Sequence, residues 1–209
     1  MHISWLGHSA FKIETKTPWR DEVVVLINPY IEPKSDLPRN LKSDLVLLGS
    51  GEKNTITLSG EPFIISSPGE YEVRGVMVYA IDISKNPKEP QLVFHFDTEN
   101  VSTVFFGNFK GTVDEDLADK LGLIDVLLLP CGGGNVLSAN EASDLANQLE
   151  PRIVVPHSFN PPNGKLPFEP VDKFAKLLGQ KEKEWLPKLK VAKRDLPQDE
   201  TRLVLLEKV

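Results

Sequence analysis

The feature that most constrains this chain is a change of hydrophobic period near residue 110. Ahead of it, short apolar runs are each closed by turn formers. His2–Leu6 and Ala10–Glu14 flank Gly7-His8-Ser9 at hairpin spacing, and Val23–Ile27 ends at Asn28-Pro29. Asp44–Leu48, Pro62–Ser66, Tyr71–Val73, Val76–Asp82, Gln91–Asp97 and Val101–Phe106 read as further strands. Ser59-Gly60, Ser67-Pro68-Gly69, Arg74-Gly75 and Asn86-Pro87 separate them. The unbroken apolar run Val23–Ile27, and Asp44–Leu48 after it, suit strands buried on both faces.

Beyond residue 110 the spacing becomes helical. Thr112-Val113-Asp114-Glu115 has capping-box form, with Val113, Leu117 and Leu121 repeating up to Gly122. Ser138-Ala139-Asn140-Glu141 is a second capping box; Ala142, Leu145, Ala146 and Leu149 share a face, and Pro151 lies past the end. Pro170–Leu178 is a third helix, stopped by Gly179. Apolar strands Val126–Leu129 and Ile153–Val155 follow the first two helices, and Arg202–Glu207 reads as a closing strand. Many strands, then strand and helix in alternation, predict two sheets with helices packed outside, a layered α/β domain. No composition break marks a linker, so residues 1–209 are expected to form a single domain.

Composition narrows the function classes. With 209 residues, roughly 70% of the unfolded surface can be buried, enough for a full core. The apolar runs are too short to cross a bilayer, and the N-terminus has no basic region ahead of an apolar stretch, so no membrane partner and no secretory signal are expected. The single cysteine, Cys131, excludes an intrachain disulfide and suits a reducing cytoplasm. The net charge of −6 and the lack of a basic stripe argue against general nucleic-acid affinity. Lysines between Lys181 and Lys193 alternate with Glu182 and Glu184 and read as solvated surface.

The polar candidates lie in loops just after the buried strands, where sheet proteins build their sites. These are Asn28-Pro29-Tyr30, Gly49–Thr55, Gly107-Asn108, Pro130–Gly134 and Pro156–Phe159. His8 reads either as a pocket polar group or as a hydrogen-bonded structural histidine. His157 is the best candidate for a retained pocket residue. His95, alternating with Phe94 and Phe96, should face away from them as a satisfied histidine. Glu70 and Glu72 point the same way, either as an acid–base pair of glycosidase type or as a structural segment. Cys131 has no basic neighbour within seven positions to activate it and reads as a packed thiol.

In their order and spacing, several segments resemble the metallo-β-lactamase superfamily, and within it the UlaG-like branch related to ascorbate-phosphate lactonase. They are Ile3–Ser9, Ile27-Asn28-Pro29-Tyr30-Ile31, Ser67-Pro68-Gly69-Glu70-Tyr71-Glu72, Leu129–Gly133 and Glu150–Pro156. The resemblance implies a four-layer αββα sandwich of two mixed sheets with outer helices. It also implies a metal-binding His-x-His-x-Asp-His loop after Asp44–Leu48. Here that loop places Ser50, Glu52, Asn54 and Thr55 at the ligand positions. Phe105 and Asn108 stand for a later histidine and the bridging aspartate, and Asn28 for a turn aspartate. The last histidine of the family corresponds to Ser158, with His157 one position early. Hydroxyls and amides are poor zinc ligands, so the resemblance predicts a degenerate site without the family zinc or manganese. Neutral amides also avoid the repulsion that carboxylates would suffer without a cation. The expected function is a pseudohydrolase that binds an unidentified small molecule or protein partner, or forms a homo-oligomer. The alternative is an active hydrolase of a phosphorylated sugar lactone, phosphodiester or RNA, with an atypical metal site.

Overall fold

A computed structural model describes residues 1–17, 19, 21–30, 37, 41–86, 90–162, 164, 166–180 and 185–209. Ile31, Pro87 and residues 181–184, named above, lie outside this set. The strands are β1 (His2–Gly7), β2 (Ala10–Lys16), β3 (Glu22–Ile27), β4 (Leu41–Lys42), β5 (Leu45–Leu47), β6 (Leu58–Ser59), β7 (Phe63–Ile65), β8 (Gly69–Val73), β9 (Val76–Asp82), β10 (Leu92–Thr98) and β11 (Val101–Phe106). Helix α1 (Glu115–Leu121), β12 (Val126–Pro130), α2 (Ala139–Leu149), β13 (Ile153–His157) and α3 (Asp172–Leu177) follow. The chain closes with β14 (Trp185–Leu186), β15 (Leu189–Lys190), β16 (Arg202–Leu203) and β17 (Leu205–Leu206).

Two mixed sheets result. The first runs β15-β1-β2-β3-β5-β7, antiparallel up to β3 and parallel from there. The second runs β16-β13-β12-β11-β10-β9-β8, parallel in its first half and antiparallel in its second. Ile3, Trp5, Phe11, Ile13, Val25, Ile27, Leu45 and Leu47 of the first sheet belong to one buried cluster with Val78, Phe94, Phe96, Phe105 and Val155 of the second. Burying each such side chain contributes about 1.5–3 kcal/mol, so this interlayer contact holds the sandwich together. A smaller cluster of Leu6, Ala10, Leu26, Tyr30, Val46 and Leu48 carries Leu37, Leu41 and Leu58 against it. Among the described residues no helix precedes Glu115, so the cover over this cluster comes from short segments.

Several local expectations are refined. The first helix is capped by Asp114, whose carboxylate accepts from the Leu117 amide, not by Thr112. The Ser138–Glu141 capping box forms with both reciprocal bonds. The closing strand breaks at Val204: β16 joins the second sheet, while β17 pairs in parallel with β14 in a separate two-stranded ribbon. The Lys181–Lys193 region is more than solvated surface where it is described. Lys188 reaches Glu14 at 2.6 Å, and Lys193 reaches the buried Asp125 at 2.6 Å.

Candidate functional site

The loops following β3, β5, β11 and β13 meet at one end of the sandwich. Asn28 is the hub. It adopts φ 46°, a left-handed conformation that asparagine tolerates better than most residues. Its Oδ1 accepts from the Gly49 amide at 2.8 Å, and its Nδ2 lies 3.5 Å from the Ser9 hydroxyl. A Cβ on Gly107 would stand 3.2 Å from that Nδ2. One buried amide thus touches three loops. Tyr30 adds a second tie: its hydroxyl accepts from the Ser50 amide and donates to the Gly51 carbonyl, each at 2.9 Å. Sequence reasoning placed Tyr30 in a matching turn but gave it no role.

His157 ends β13 with no exposed surface. Its Nε2 lies 2.9 Å from the Phe106 carbonyl, an acceptor only, so Nε2 carries the proton. Its Nδ1 therefore accepts from the Ser158 hydroxyl at 3.0 Å. Phe105 stacks on the imidazole at 5.4 Å between centroids, and Phe11 meets it edge-on at 5.6 Å. Burial pushes the imidazole pKa down to about 3, while the Phe106 hydrogen bond pulls weakly the other way. At neutral pH the ring is uncharged, and both of its nitrogens are engaged.

The expected pocket residues divide into two groups. Asn28, Phe105, His157 and Ser158 are buried at the junction of the loops. His8 joins them through its backbone: its carbonyl accepts from the Ser158 amide and from the Trp5 indole. Ser50, Glu52 and Asn54 are exposed, and Thr55 is half-buried. The Glu52 carboxylate accepts from Ser66 at 2.8 Å, while the Thr55 hydroxyl donates to the Glu52 carbonyl. Asn108 is half-buried, with its carbonyl accepting from Gln91. Glu70 and Glu72 lie exposed on β8 and form no acid–base pair at this centre. His95 bonds Ser102, as expected of a satisfied histidine. Cys131 is packed; burial, reinforced by Glu169, raises its pKa, so it is no thiolate nucleophile at neutral pH.

Gly132 is a residue that sequence reasoning undervalued. A Cβ there would overlap the Ser158 carbonyl and lie 2.8 Å from the Phe168 Cβ. The Glu169 amide bonds the Gly132 carbonyl at 2.7 Å, so the loop containing Phe168 seats on bare backbone. The Gly132-Gly133-Gly134 run signalled this only as a turn.

Two mixed sheets with polar loops gathered at one end define a sandwich of the metallo-hydrolase type. The Beta-lactamase superfamily domain matches residues 2–158. The chain belongs to this metallo-β-lactamase superfamily. A UPF0173 protein of Pyrococcus abyssi is 29% identical over 185 residues, covering 76% of this chain and 83% of its own length. A UPF0173 metal-dependent hydrolase of the same organism is 28% identical over 222 residues, covering 87% and 93%. A crystal structure from Thermotoga maritima, named as a Zn-dependent hydrolase of the superfamily, superposes with TM-score 0.81 at 25% identity, covering 99% of this chain and 98% of that one.

These relatives correct the expectation that zinc or manganese plays no part. Proteins matched over most of their length are named metal-dependent or Zn-dependent hydrolases, so a metal cofactor is what the family implies. The side chains that the resemblance sets at the ligand positions do not fit one. Glu52 is the single anion among them, and it is exposed and bonded to Ser66. Phe105 offers no ligand atom, and of the His157 ring nitrogens Nε2 carries a proton donated to the Phe106 carbonyl while the Nδ1 lone pair accepts from Ser158. No group of three or more His, Cys, Asp or Glu suited to a cation occurs among the described residues.

Proposed function

We propose that this chain is a UlaG-like member of the superfamily whose former hydrolytic centre has become core, and whose scaffold serves binding rather than turnover there. The observation that carries this reading is His157, buried, neutral and bonded at both nitrogens beneath the Phe105 ring. A hydrolase centre needs a group that activates water and a group that stabilises developing charge. Among the described residues, no side chain at this junction is placed to do either. A reducing cytoplasmic setting belongs to the same reading, with Cys131 a free buried thiol. The test is hydrolysis of an aryl phosphodiester, a lactone and a short RNA by purified protein supplied with zinc or manganese. Rates equal to the protein-free blank are expected. Metal-dependent turnover that a chelator abolishes would overturn the reading.

The names of the relatives favour a second reading, an active metal-dependent hydrolase; the resemblance to the UlaG-like branch supplies its substrate class, a phosphorylated sugar lactone, a phosphodiester or RNA. Its cation would need Glu52 together with groups outside the family loop. Loss of turnover in Glu52→Ala, with the fold intact, would support it.

A further inference from the structure

The Ser67–Glu72 motif takes no part in the centre just described, and it lands on β8. Strand β8 ends the second sheet, β7 ends the first, and residues 66–68 join them. Both sheets therefore stop on the same side of the sandwich. The pairing of β8, β9 and β10 aligns Glu70 with Tyr79 and His95, and Glu72 with Met77 and Asp97. All six are exposed or half-buried, while Val76, Val78 and Ala80 between them are buried, so the two rows face away from the core.

A groove of about 610 Å³ runs along this face, within the usual range of binding clefts. Tyr79, Ala80 and Ile81 give it an apolar floor; Glu70, Asp97 and His95 border it, with Lys120 of α1 its basic member. His95 meets both Ser102, at 2.8 Å, and Asp97, at 3.5 Å, through the same Nε2. A serine–histidine–carboxylate relay needs both ring nitrogens, so this trio is no nucleophile site. On the inner side of β8, Tyr71 contacts Phe63 at 6.3 Å between ring centroids. Phe63 and Ile64 of β7 stay 50% and 41% exposed.

We propose that the outer edge of β8 docks an extended segment of a partner polypeptide in which cationic and apolar side chains alternate. An added strand turns successive side chains to opposite faces. One set would then meet Glu70 and Glu72, which calls for lysine or arginine. The other set would cover Tyr71 and Phe63, which calls for apolar residues. Charge selects this occupant over a second copy of the chain, because two β8 edges paired antiparallel would bring glutamates against glutamates.

Fluorescence anisotropy with a labelled short peptide alternating lysine and valine tests the proposal. The control alternates glutamate and valine. Saturable binding of the lysine peptide alone is expected, with amide exchange slowed at residues 69–73. Glu70→Lys with Glu72→Lys should weaken binding at least about tenfold, since two favourable cross-strand pairs become repulsive. Glu200→Lys, outside the groove, should leave it unchanged. An unaltered Tm for the double variant shows that its fold is intact. Equal binding of both peptides, equal binding to parent and double variant, no saturable binding, or a dimer in light scattering that the double variant abolishes would each overturn the proposal.

Discussion

Phe105→Ala removes a ring with no exposed surface that stacks on His157 and meets Phe11 edge-on at 6.2 Å. If the end of the sandwich is core, the substitution leaves a cavity walled by β2, β10, β11 and β13, all tied by continuous pairing. Such walls relax little, so the cost should sit in the usual range for a buried phenylalanine, about 3–5 kcal/mol. For a chain of 209 residues this lowers Tm by roughly 6–20 °C. Urea unfolding followed by circular dichroism reads the same change as a fall in midpoint with an unchanged slope. A pocket residue kept for ligand contact behaves differently, because truncating it exposes space that water already reaches. A loss below about 1 kcal/mol would show that Phe105 lines an open site, and the filled-centre account would fail.

Further outcomes follow from neighbouring contacts. The His157 pKa is pushed down to about 3, well below that of the unfolded chain. Stability from keeping the ring neutral is therefore complete above about pH 6.5 and declines as pH falls toward 3. Subtracting the pH profile of His157→Phe from the wild-type profile should leave a slope of about 1.4 kcal/mol per pH unit between these limits, and a flat difference would contradict the burial. Tyr30→Phe removes the bonds to Ser50 and Gly51 and should cost about 1–2 kcal/mol by chemical denaturation, with protection lost first at the Ser50 amide. Asn28→Ala loses the Gly49 bond and puts alanine at positive φ; about 2–3 kcal/mol is expected in the same assay. Gly132→Ala should be among the most damaging single changes, since its methyl meets backbone on one side and Phe168 on the other; a Tm within 2 °C of wild type, at roughly 2–4 °C per kcal/mol, would show that the loop yields freely.

The longer strands were legible because their cause is local; the two-residue strands β4, β6, β14 and β15 were not, since they exist only through their pairing partners. A run such as Val23–Ile27 or Val101–Phe106 has one low-energy use in a chain this size, and turn formers fix its ends. Ser138–Glu141 was legible for the same reason, since both halves of the capping box lie within four residues. Thr112 failed as a cap because Asp114, two residues on, offers a stronger acceptor to the Leu117 amide. The split at Val204 could not be read, because it depends on which sheet each half meets. Among the site residues, Asn28 and Phe105 were legible as substitutions but not as a hub and a plug. Their roles come from Gly49, Ser9 and His157, all distant in sequence. His157 shows the limit most sharply. One step along β13 reverses the facing direction, so a histidine displaced by one residue points with Ile153 and Val155 into the core.

The most direct measurement is the ¹⁵N spectrum of the His157 imidazole across pH. A single Nε2-protonated tautomer is expected, hydrogen-bonded to the Phe106 carbonyl and without titration between pH 8 and about 5. A titration centred near 6.5, or an Nδ1 resonance shifted by added zinc, would place that ring in an open site and contradict the account.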